Sequence, residues 1–268
     1  MIYIGIDISK DSFVAAYPTK SGYTTKTFNN DTKGVRQFIK SLPDESHCVM
    51  EATGNYSMLL LYLLQQAGIL VSMENPQKIK HFSRAMMSVT KTDEIDAKLI
   101  AIYGEKMNPA PYKIPSESIL LLKQKRTVLR QLKKHLAATI NLQQSLAVLP
   151  KQDTTSKVAV EQTIKFLHKQ ISKMEEEITN LSNKEFKRQM DLLTSIKGIG
   201  NTLASALIVA TGGFTYFTSA KQISRFLGIC PTYQQSGTSV NIKGHINRNG
   251  DTHLRCQLYL AACSSLRC

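Results

Sequence analysis

The chain has 268 residues, with 34 lysines and arginines against 20 aspartates and glutamates, which gives a formal net charge of +14. Such a basic chain favours a polyanionic partner, and nucleic acid is the first candidate. Since no apolar run reaches the roughly 18 residues of a membrane-spanning helix, and the first residues lack a signal-peptide pattern, the sequence predicts a soluble, cytoplasmic protein. Five scattered cysteines without a CxxC pair indicate neither a disulfide framework nor a zinc site.

The first 76 residues predict a small α/β layer. Three strand-like runs come first, then a helix with apolar residues at helical spacing, then a buried strand, an apolar helix that stops at Gly68, and a last strand closed by Pro76. In chain order these segments read YIGIDIS, SFVAAYPT, YTTKTFNN, TKGVRQFIKSL, HCVMEATG, YSMLLLYLLQQAG and ILVSMENP. The order of three strands, helix, strand, helix, strand is that of an RNase H-like layer.

Four carboxylates stand where such a layer gathers metal ligands. Asp7 interrupts the first strand, Glu51 ends a later one, and Asp93 and Asp96 lie three residues apart in KTDEIDA, on one face of a following helix. Carboxylates held this close repel one another unless a cation offsets the charge, and hard oxygen ligands suit Mg²⁺ or Mn²⁺. The sequence therefore predicts a metal site formed by all four, able to clamp the oxygens of a phosphodiester.

The helical pair alone has a simpler interpretation. Thr92 fits the N-cap position, and acids in the first turn are favoured by the helix dipole. Asp7 and Glu51 are harder to explain in this way, because an acid in a buried strand needs a partner. The two strand acids together with the helical pair favour the metal site.

A proline-rich segment, NPAPYKIPS at 108–116, predicts a domain boundary. Beyond it, residues 119–149 have a helical pattern, and a heptad seam then runs through Val160, Ile164, Leu167, Ile171, Met174, Ile178 and Leu181. The seam is typical of a coiled coil or a long antiparallel helix pair. We expect a dimerisation arm or a spacer, with an ordinary helical core as the alternative.

The last part of the chain is rich in glycine and small residues. SIKGIGNTLASALI fits a helix-hairpin-helix, in which Lys197, Gly198 and Gly200 would grip a DNA phosphate through backbone N–H groups. A plain tight turn explains the pattern equally well. The predicted organisation is a domain at 1–107, a linker at 108–116, coiled-coil helices at 117–185 and a C-terminal domain at 186–268.

Cations cluster around serines near the C-terminus, where Lys243, His245, Arg248, His253 and Arg255 surround Ser236 and Ser239. A serine attacks a phosphodiester only when a base takes its proton and cations stabilise the developing charge. On composition alone Ser236 is a turn hydroxyl, and the two histidines contact solvent or phosphate.

In order along the chain, YIGIDISK, EATGNY, KTDEIDA, SIKGIG, FLGICPTYQQSGTS and GDTHLRCQLYLAA resemble the DEDD transposases of insertion sequences, relatives of the Piv-type DNA invertases. The resemblance covers essentially the whole chain. It implies α/β plus α architecture: an RNase H/RuvC-like N-terminal domain, a helical coiled-coil middle and a small, mainly helical C-terminal transposase domain. It places the DEDD carboxylates on Asp7, Glu51, Asp93 and Asp96, and the nucleophile on Ser236.

The resemblance also implies partners and a reaction. Members of the family look like recombinases that link covalently to DNA through phosphoserine, with Mg²⁺ held by the acids, and that are guided by a structured bridge RNA pairing with donor and target DNA. A homo-oligomer at the bacterial nucleoid follows, with Lys243 and Arg248 steadying phosphate charge. Two other functions stay open: a RuvC-like junction nuclease that uses metal-activated water, and a truncated, non-catalytic nucleic-acid-binding regulator.

Overall fold

The computed structural model describes residues 1–87, 90–231, 234–236, 240–242, 244–246 and 250–266, and for 234–236 and 240–242 it describes the backbone. The chain divides into two compact units, Met1–Ile114 and Pro115–Cys268. The division falls inside the proline-rich segment. Because the long helices and the C-terminal residues share the second unit, a separate domain beginning at 186 stays a prediction.

The first unit is built on a five-stranded sheet. Its strand order is β3-β2-β1-β4-β5, in which β2 lies antiparallel to both β1 and β3, while β1, β4 and β5 are parallel. The strands are β1 Ile2–Ile8, β2 Ser12–Thr19, β3 Gly22–Asn29, β4 Ser46–Glu51 and β5 Leu70–Glu74. The predicted mixed α/β N-terminal part is therefore confirmed.

Helices cover both faces of this sheet. They are α1 Thr32–Lys40, a short 3-10 helix Gly54–Ser57, α2 Met58–Gln66, α3 Pro76–Ala85 and α4 Asp93–Met107. On one face, Phe38 of α1 and Leu60 and Leu64 of α2 pack with Ile4 and Ile6 of β1 in a buried core. The other face is covered by α4.

Helix α3 was not predicted. The sequence predicts that Pro76 closes a strand, but β5 ends at Glu74 and Pro76 occupies the first turn of α3. Asn75 is the N-cap, and its side chain accepts a hydrogen bond from the backbone N–H of Gln77 at 2.8 Å. Proline is favoured at this position because its missing N–H has no partner in the first turn of a helix.

Helix α4 packs directly on β1 because the contact residues are small. Ala97 and Ala101 of α4 are fully buried, and a Cβ atom at Gly5 of β1 would overlap the carbonyl oxygen of Ala97 and the amide nitrogen of Ala101. One turn further along, Gly104 lies against Tyr3 and Val49. This contact fixes the height of α4 above the centre of the sheet.

The proline-rich segment also has a structural role in the first unit. The N–H of Tyr112 donates to the carbonyl of Val71 on β5 at 2.7 Å, and its carbonyl accepts from the side chain of Gln65 at 2.7 Å. The hydroxyl of Ser72 is within hydrogen-bond distance of the carbonyls of Pro109 and Ala110. Residues 109–112 thus lie along β5 and cover that edge of the sheet.

The second unit consists mainly of helices. Its elements are α5 Glu117–Ala147, α6 Thr154–Thr194, α7 Asn201–Thr211, α8 Ala220–Leu227, β6 Gln234–Ser236, β7 Val240–Ile242 and α9 Thr252–Leu266. The two short strands pair in antiparallel fashion. The mostly helical character that the sequence predicted for this part is confirmed.

Helices α5 and α6 form an antiparallel pair. Lys133 of α5 pairs with Glu175 of α6 at 2.6 Å, and Ser118 donates to Glu185 at 3.0 Å. Of the predicted seam, Ile171 and Ile178 are buried in a cluster that includes residues of α5. Along this stretch the seam faces α5 of the same chain, as the interpretation as an antiparallel helix pair predicts. The coiled coil and the dimerisation arm stay predictions.

Helix α6 changes direction near its C-terminal end. Phe186 has φ −134° and ψ 34°, which is not helical, so the helix is kinked there. The kink coincides with the change in composition at 186.

Within the described residues, no helix is both long and apolar enough to cross a membrane.

The contact at Gly5 predicts the effect of a single methyl group. Because the added Cβ would overlap backbone atoms of α4, we expect Gly5→Ala to lower the free energy of unfolding by about 3 kcal/mol, the cost of a badly overpacked core. The measurement is urea unfolding of the full chain. Gly68→Ala is the control, because its φ of +74° costs about 1 kcal/mol but the surrounding space is open. Equal losses for the two variants would contradict this account of α4.

Candidate functional site

The two strand acids lie side by side at one edge of the sheet. Asp7 is the penultimate residue of β1 and Glu51 the last of β4, and these parallel strands pair Ile6 with Met50 immediately before the two acids. Since paired residues of neighbouring strands point to the same face, both carboxylates lie on the face that α4 covers. The edge is formed by the carboxyl ends of parallel strands.

The two helical acids approach from the N-terminal turn of α4. Thr92 is the N-cap, and its hydroxyl accepts a hydrogen bond from the N–H of Ile95 at 3.2 Å. Asp93 and Asp96 follow in the first turn, just before Ala97, which packs on Gly5. The capping interpretation is confirmed, and the capped end of α4 lies beside the end of β1. The metal site stays a prediction.

The charges of the four acids interact with one another. The pKa of Asp7 is raised to about 6, first by burial and then by the negative charges of Asp96, Asp93 and Glu51. Burial also raises the pKa of Glu51 and of Asp96, and Asp96 adds to the effect on Glu51. The folded chain thus concentrates negative charge at this edge at a cost in stability.

One cation partly offsets this charge. Lys91, exposed just before the N-cap of α4, lowers the pKa of both Glu51 and Asp96. Lys91 does not balance the four acids, since the pKa of Asp7 stays raised. The edge consequently favours the binding of additional positive charge.

The acids do not converge on one point in this structure. Across the described part of the chain, no group of three or more His, Cys, Asp or Glu side chains is arranged to hold a metal ion. Asp7, Glu51, Asp93 and Asp96 are close enough to repel one another, and their oxygens are the donors that hard divalent cations prefer.

The sequence reasoning missed a fifth acid beside these four. Glu74, the last residue of β5, pairs in register with Glu51 and is 9% exposed. Its carboxylate forms an ion pair with Lys78 of α3 at 2.8 Å. The sequence contains a feature that could have identified Glu74, because in ILVSMENP an acid follows an apolar run, as it does in HCVME. Because Lys78 neutralises it, Glu74 adds little charge to the cluster.

The predicted phosphate-binding turn joins α6 to α7. Gly198 has φ +88°, and a Cβ there would overlap the carbonyl oxygen of Ala261 in α9, so packing alone explains this glycine. Gly200 is the N-cap of α7, and a Cβ added to it would meet none of the described atoms within 4 Å. Lys197 is exposed nearby. Lys197, Gly198 and Gly200 are all exposed, and the phosphate contact at this turn stays a prediction.

Arg126 was not singled out from the sequence, although it supports this turn. Its Nη1 donates to the carbonyl of Thr202 and to the hydroxyl of Ser205, both at 2.8 Å, and so links α5 to α7. Burial lowers the pKa of Arg126 to about 10, an effect that Asp251 opposes. Nothing in the local sequence distinguishes Arg126 from the other cations of α5.

The predicted serine centre is only partly described. Ser236 is the last residue of β6, and its backbone pairs with Val240 of β7. Ser239, Lys243 and Arg248 lie outside the described residues. His245 is exposed, while His253 lies in the first turn of α9, where its N–H donates to the Asp251 carboxylate at 2.8 Å. The roles proposed for these side chains stay predictions.

Comparison with known proteins gives matches over most of the chain. A family model of IS110-type DEDD transposases matches residues 4–151, and a model described as the IS116/IS110/IS902 transposase family matches residues 190–268. The pilin gene-inverting proteins of Moraxella bovis and Moraxella lacunata are each 30% identical over 272 residues, which cover 97% of this chain and 81% of theirs.

A solved structure, T. thermophilus RuvC in complex with a Holliday junction substrate, matches part of the chain. It is 12% identical, covers 42% of this chain and 99% of its own, and has a TM-score of 0.31. A TM-score this low does not establish a shared fold.

The raised pKa of Asp7 predicts a pH-dependent difference between two variants. A carboxyl group with a folded pKa near 6 and an ordinary value of 3.8 stabilises the fold fully below pH 4, and this contribution is lost as the pH rises through about 6. Without divalent cations, Asp7→Asn should therefore unfold at the same temperature as wild type at pH 4. At pH 7 it should be more stable by about 1 kcal/mol, after allowance for solvent screening.

Thermal unfolding at pH values from 4 to 7 measures this difference. The control is Asp44→Asn, which removes an exposed carboxylate from the turn before β4. A constant offset between Asp7→Asn and wild type at every pH would show that Asp7 is not held among like charges.

Proposed function

Since the chain belongs to the IS116/IS110/IS902 family of transposases, enzymes that exchange DNA strands, we propose that it is the RNA-guided recombinase of an insertion sequence. In this proposal Ser236 is the nucleophile and the DEDD acids Asp7, Glu51, Asp93 and Asp96 hold Mg²⁺, or Mn²⁺ in its place. The observation that carries the proposal is the position of the four acids at one edge of the sheet, where burial and the charges of the other three raise the pKa of Asp7.

We infer an RNase H/RuvC-like fold for residues 1–114 from the strand order and from the position of the acids. The donor set fits a hard divalent cation, because carboxylate oxygens are its preferred ligands and mutual repulsion leaves the site short of positive charge. When bound, such a cation supplies Lewis-acid stabilisation of phosphate oxygens. The chain's own contribution is to hold Asp7 and Glu51 on β1 and β4 and to bring Asp93 and Asp96 to them on α4.

The proposed reaction conserves the number of phosphodiester bonds. The Ser236 hydroxyl attacks the scissile phosphorus, a phosphoserine ester forms, and the displaced DNA hydroxyl takes up a proton. A hydroxyl of the exchanged strand then attacks the phosphoserine, which restores the DNA linkage and the serine. Lys243 and Arg248, two residues of the basic C-terminal segment, are proposed to steady the phosphate charge. No external energy source is needed for either step.

The proposed partners are donor DNA, target DNA and a structured guide RNA at the bacterial nucleoid. The net charge of +14 supports binding to phosphate backbones. Lys197 is exposed beside the open Gly200 at the start of α7, which supports a sequence-independent phosphate contact there. Base pairing by the guide RNA would then supply the choice of sequence.

We also propose that the helix pair α5 and α6 joins two copies of the chain. Large apolar side chains are exposed at and near the tip of this hairpin, where a partner surface would remove them from water: Leu142, Val148, Leu149, Val158 and Phe166. A cavity of about 550 Å³, lined by residues of the tip such as Leu146, Leu149 and Val160, opens on the same region. A second hairpin is the proposed occupant because it carries matching apolar residues.

A covalent-adduct trap tests the serine. The chain is expressed with its flanking element, the cells are lysed in detergent, and protein-linked DNA is measured. Wild type should give an adduct and Ser236→Ala none, because only the hydroxyl can form the ester. Binding of DNA and RNA by Ser236→Ala should be unchanged.

One further variant distinguishes the role of the acids from that of the serine. Asp7→Asn should reduce strand exchange by at least about 100-fold, since a carboxylate that stabilises transition-state charge is lost. DNA cleavage that survives in Ser236→Ala without any adduct, and that is lost in Asp7→Asn, would contradict the serine mechanism and favour the junction nuclease.

Positive charges introduced at the hairpin tip test the proposed interface between two copies of the chain. Val148 is 81% exposed, and Val148→Lys combined with Phe166→Lys should convert an oligomer to monomers in analytical ultracentrifugation because like charges would meet across the interface. Circular dichroism of the double variant is the control for folding, since its helical content should match wild type. An unchanged sedimentation coefficient in the double variant would contradict this interface.

A further inference from the structure

Asn30, the first residue after β3, makes contacts that no part of the proposed mechanism uses. Its side-chain Nδ2 donates to the carbonyl of Ser9 and to the carbonyl of Tyr56, both at 3.0 Å, with a longer contact to the carbonyl of Lys10 at 3.5 Å. Its own backbone N–H donates to the carbonyl of Asp11 at 2.9 Å. One amide group therefore ties together three segments that are distant in sequence.

Two of these segments lead directly from the acidic strands. Ser9 follows Asp7 by two residues, and Tyr56 follows Glu51 by five, within the 3-10 helix Gly54–Ser57. The pairing of β1 with β4 ends at Ile6 and Met50, one residue before the acids. Asp7 stays paired with Val14 of β2 and Glu51 with Glu74 of β5, but β1 and β4 are no longer paired directly. The Asn30 amide links the two segments that follow these strands.

The amide can face in only one direction. Its neighbours at hydrogen-bond distance are carbonyl oxygens, which accept but do not donate, so the nitrogen must face them. The Oδ1 atom is buried and has no hydrogen-bond partner among the described residues, an arrangement that native proteins rarely keep without a reason. A carboxylate in its place would face the same carbonyls with no N–H to give.

We propose that Asn30 is a positioning residue that sets the separation of the Asp7 and Glu51 carboxylates for cation binding. The role rests on the cation site of the proposed function and adds to it a residue that touches neither the cation nor the DNA. Asn30 acts through the backbone after each acidic strand, and so belongs to the surroundings that orient metal ligands, where substitutions typically weaken metal affinity by about 10-fold to 100-fold.

The test is a Mn²⁺ titration of the full chain, followed by hydrogen exchange in peptides from β1 and β4. A cation that binds only the folded state slows exchange through the unfolded state by the factor 1 + [Mn²⁺]/Kd, so the Mn²⁺ concentration that halves the exchange rate is the half-saturating concentration. For Asn30→Ala the half-saturating Mn²⁺ concentration should rise about 10-fold or more, while Asn29→Ala, an exposed amide next in sequence, should match wild type. Asn30→Ser, whose hydroxyl donates one bond instead of two, should lie between them.

The outcomes separate the two proposals. If wild type shows no response to Mn²⁺, the cation site fails and the role of Asn30 fails with it. If wild type responds and Asn30→Ala has the same half-saturating concentration, the positioning role alone is overturned, even when the variant is less stable without cation. If circular dichroism shows that Asn30→Ala is unfolded, Asn30→Ser takes its place. The same half-saturating Mn²⁺ concentration in Asn30→Ser as in wild type would then overturn the positioning role.

Discussion

The close contact between α4 and β1 at Gly5 is the constraint on which the site depends. Only a residue without a side chain lets the backbone of α4 approach the sheet at this point, since a Cβ would overlap Ala97 and Ala101. The capped turn of α4 precedes Ala97, and Asp7 follows Gly5 by two residues. The packing that holds the helix on the sheet therefore also sets how near Asp93 and Asp96 come to Asp7.

That proximity opposes stability. The pKa of Asp7 is raised to about 6 because burial and three neighbouring acids disfavour its charge. Lys78 neutralises Glu74 at the next strand end, and Lys91 offsets part of the charge on Glu51 and Asp96. The fold therefore balances Glu74 fully and Glu51 and Asp96 only in part, and the pKa of Asp7 stays raised.

Local signals in the sequence predicted the first unit well because each depends only on residues that are neighbours in the sequence. The alternation of apolar residues gave the strands, and Thr92 followed by acids gave the start of α4. Helix α3 was missed because Pro76 serves equally as the end of a strand and as the first residue of a helix, and only Asn75 at the cap distinguishes the two.

Long-range contacts account for the rest of what the sequence could not predict. The heptad seam of α6 carried no information on its partner, and Ile171 and Ile178 turned out to pack beside α5 of the same chain. The bridge from Asn30 to Ser9 and Tyr56 joins residues 21 and 26 positions apart. No spacing rule connects such residues, because their contact exists only once the sheet has formed.

The central claim is that Asp7, Glu51, Asp93 and Asp96 act as one cation site. Anomalous diffraction from crystals grown with Mn²⁺ tests it most directly, because the metal is located without assumptions about the reaction. The account predicts a peak about 2.2 Å from an oxygen of Asp7 and from at least one other of these acids. A peak elsewhere, or none at a Mn²⁺ concentration that supports strand exchange, would contradict it.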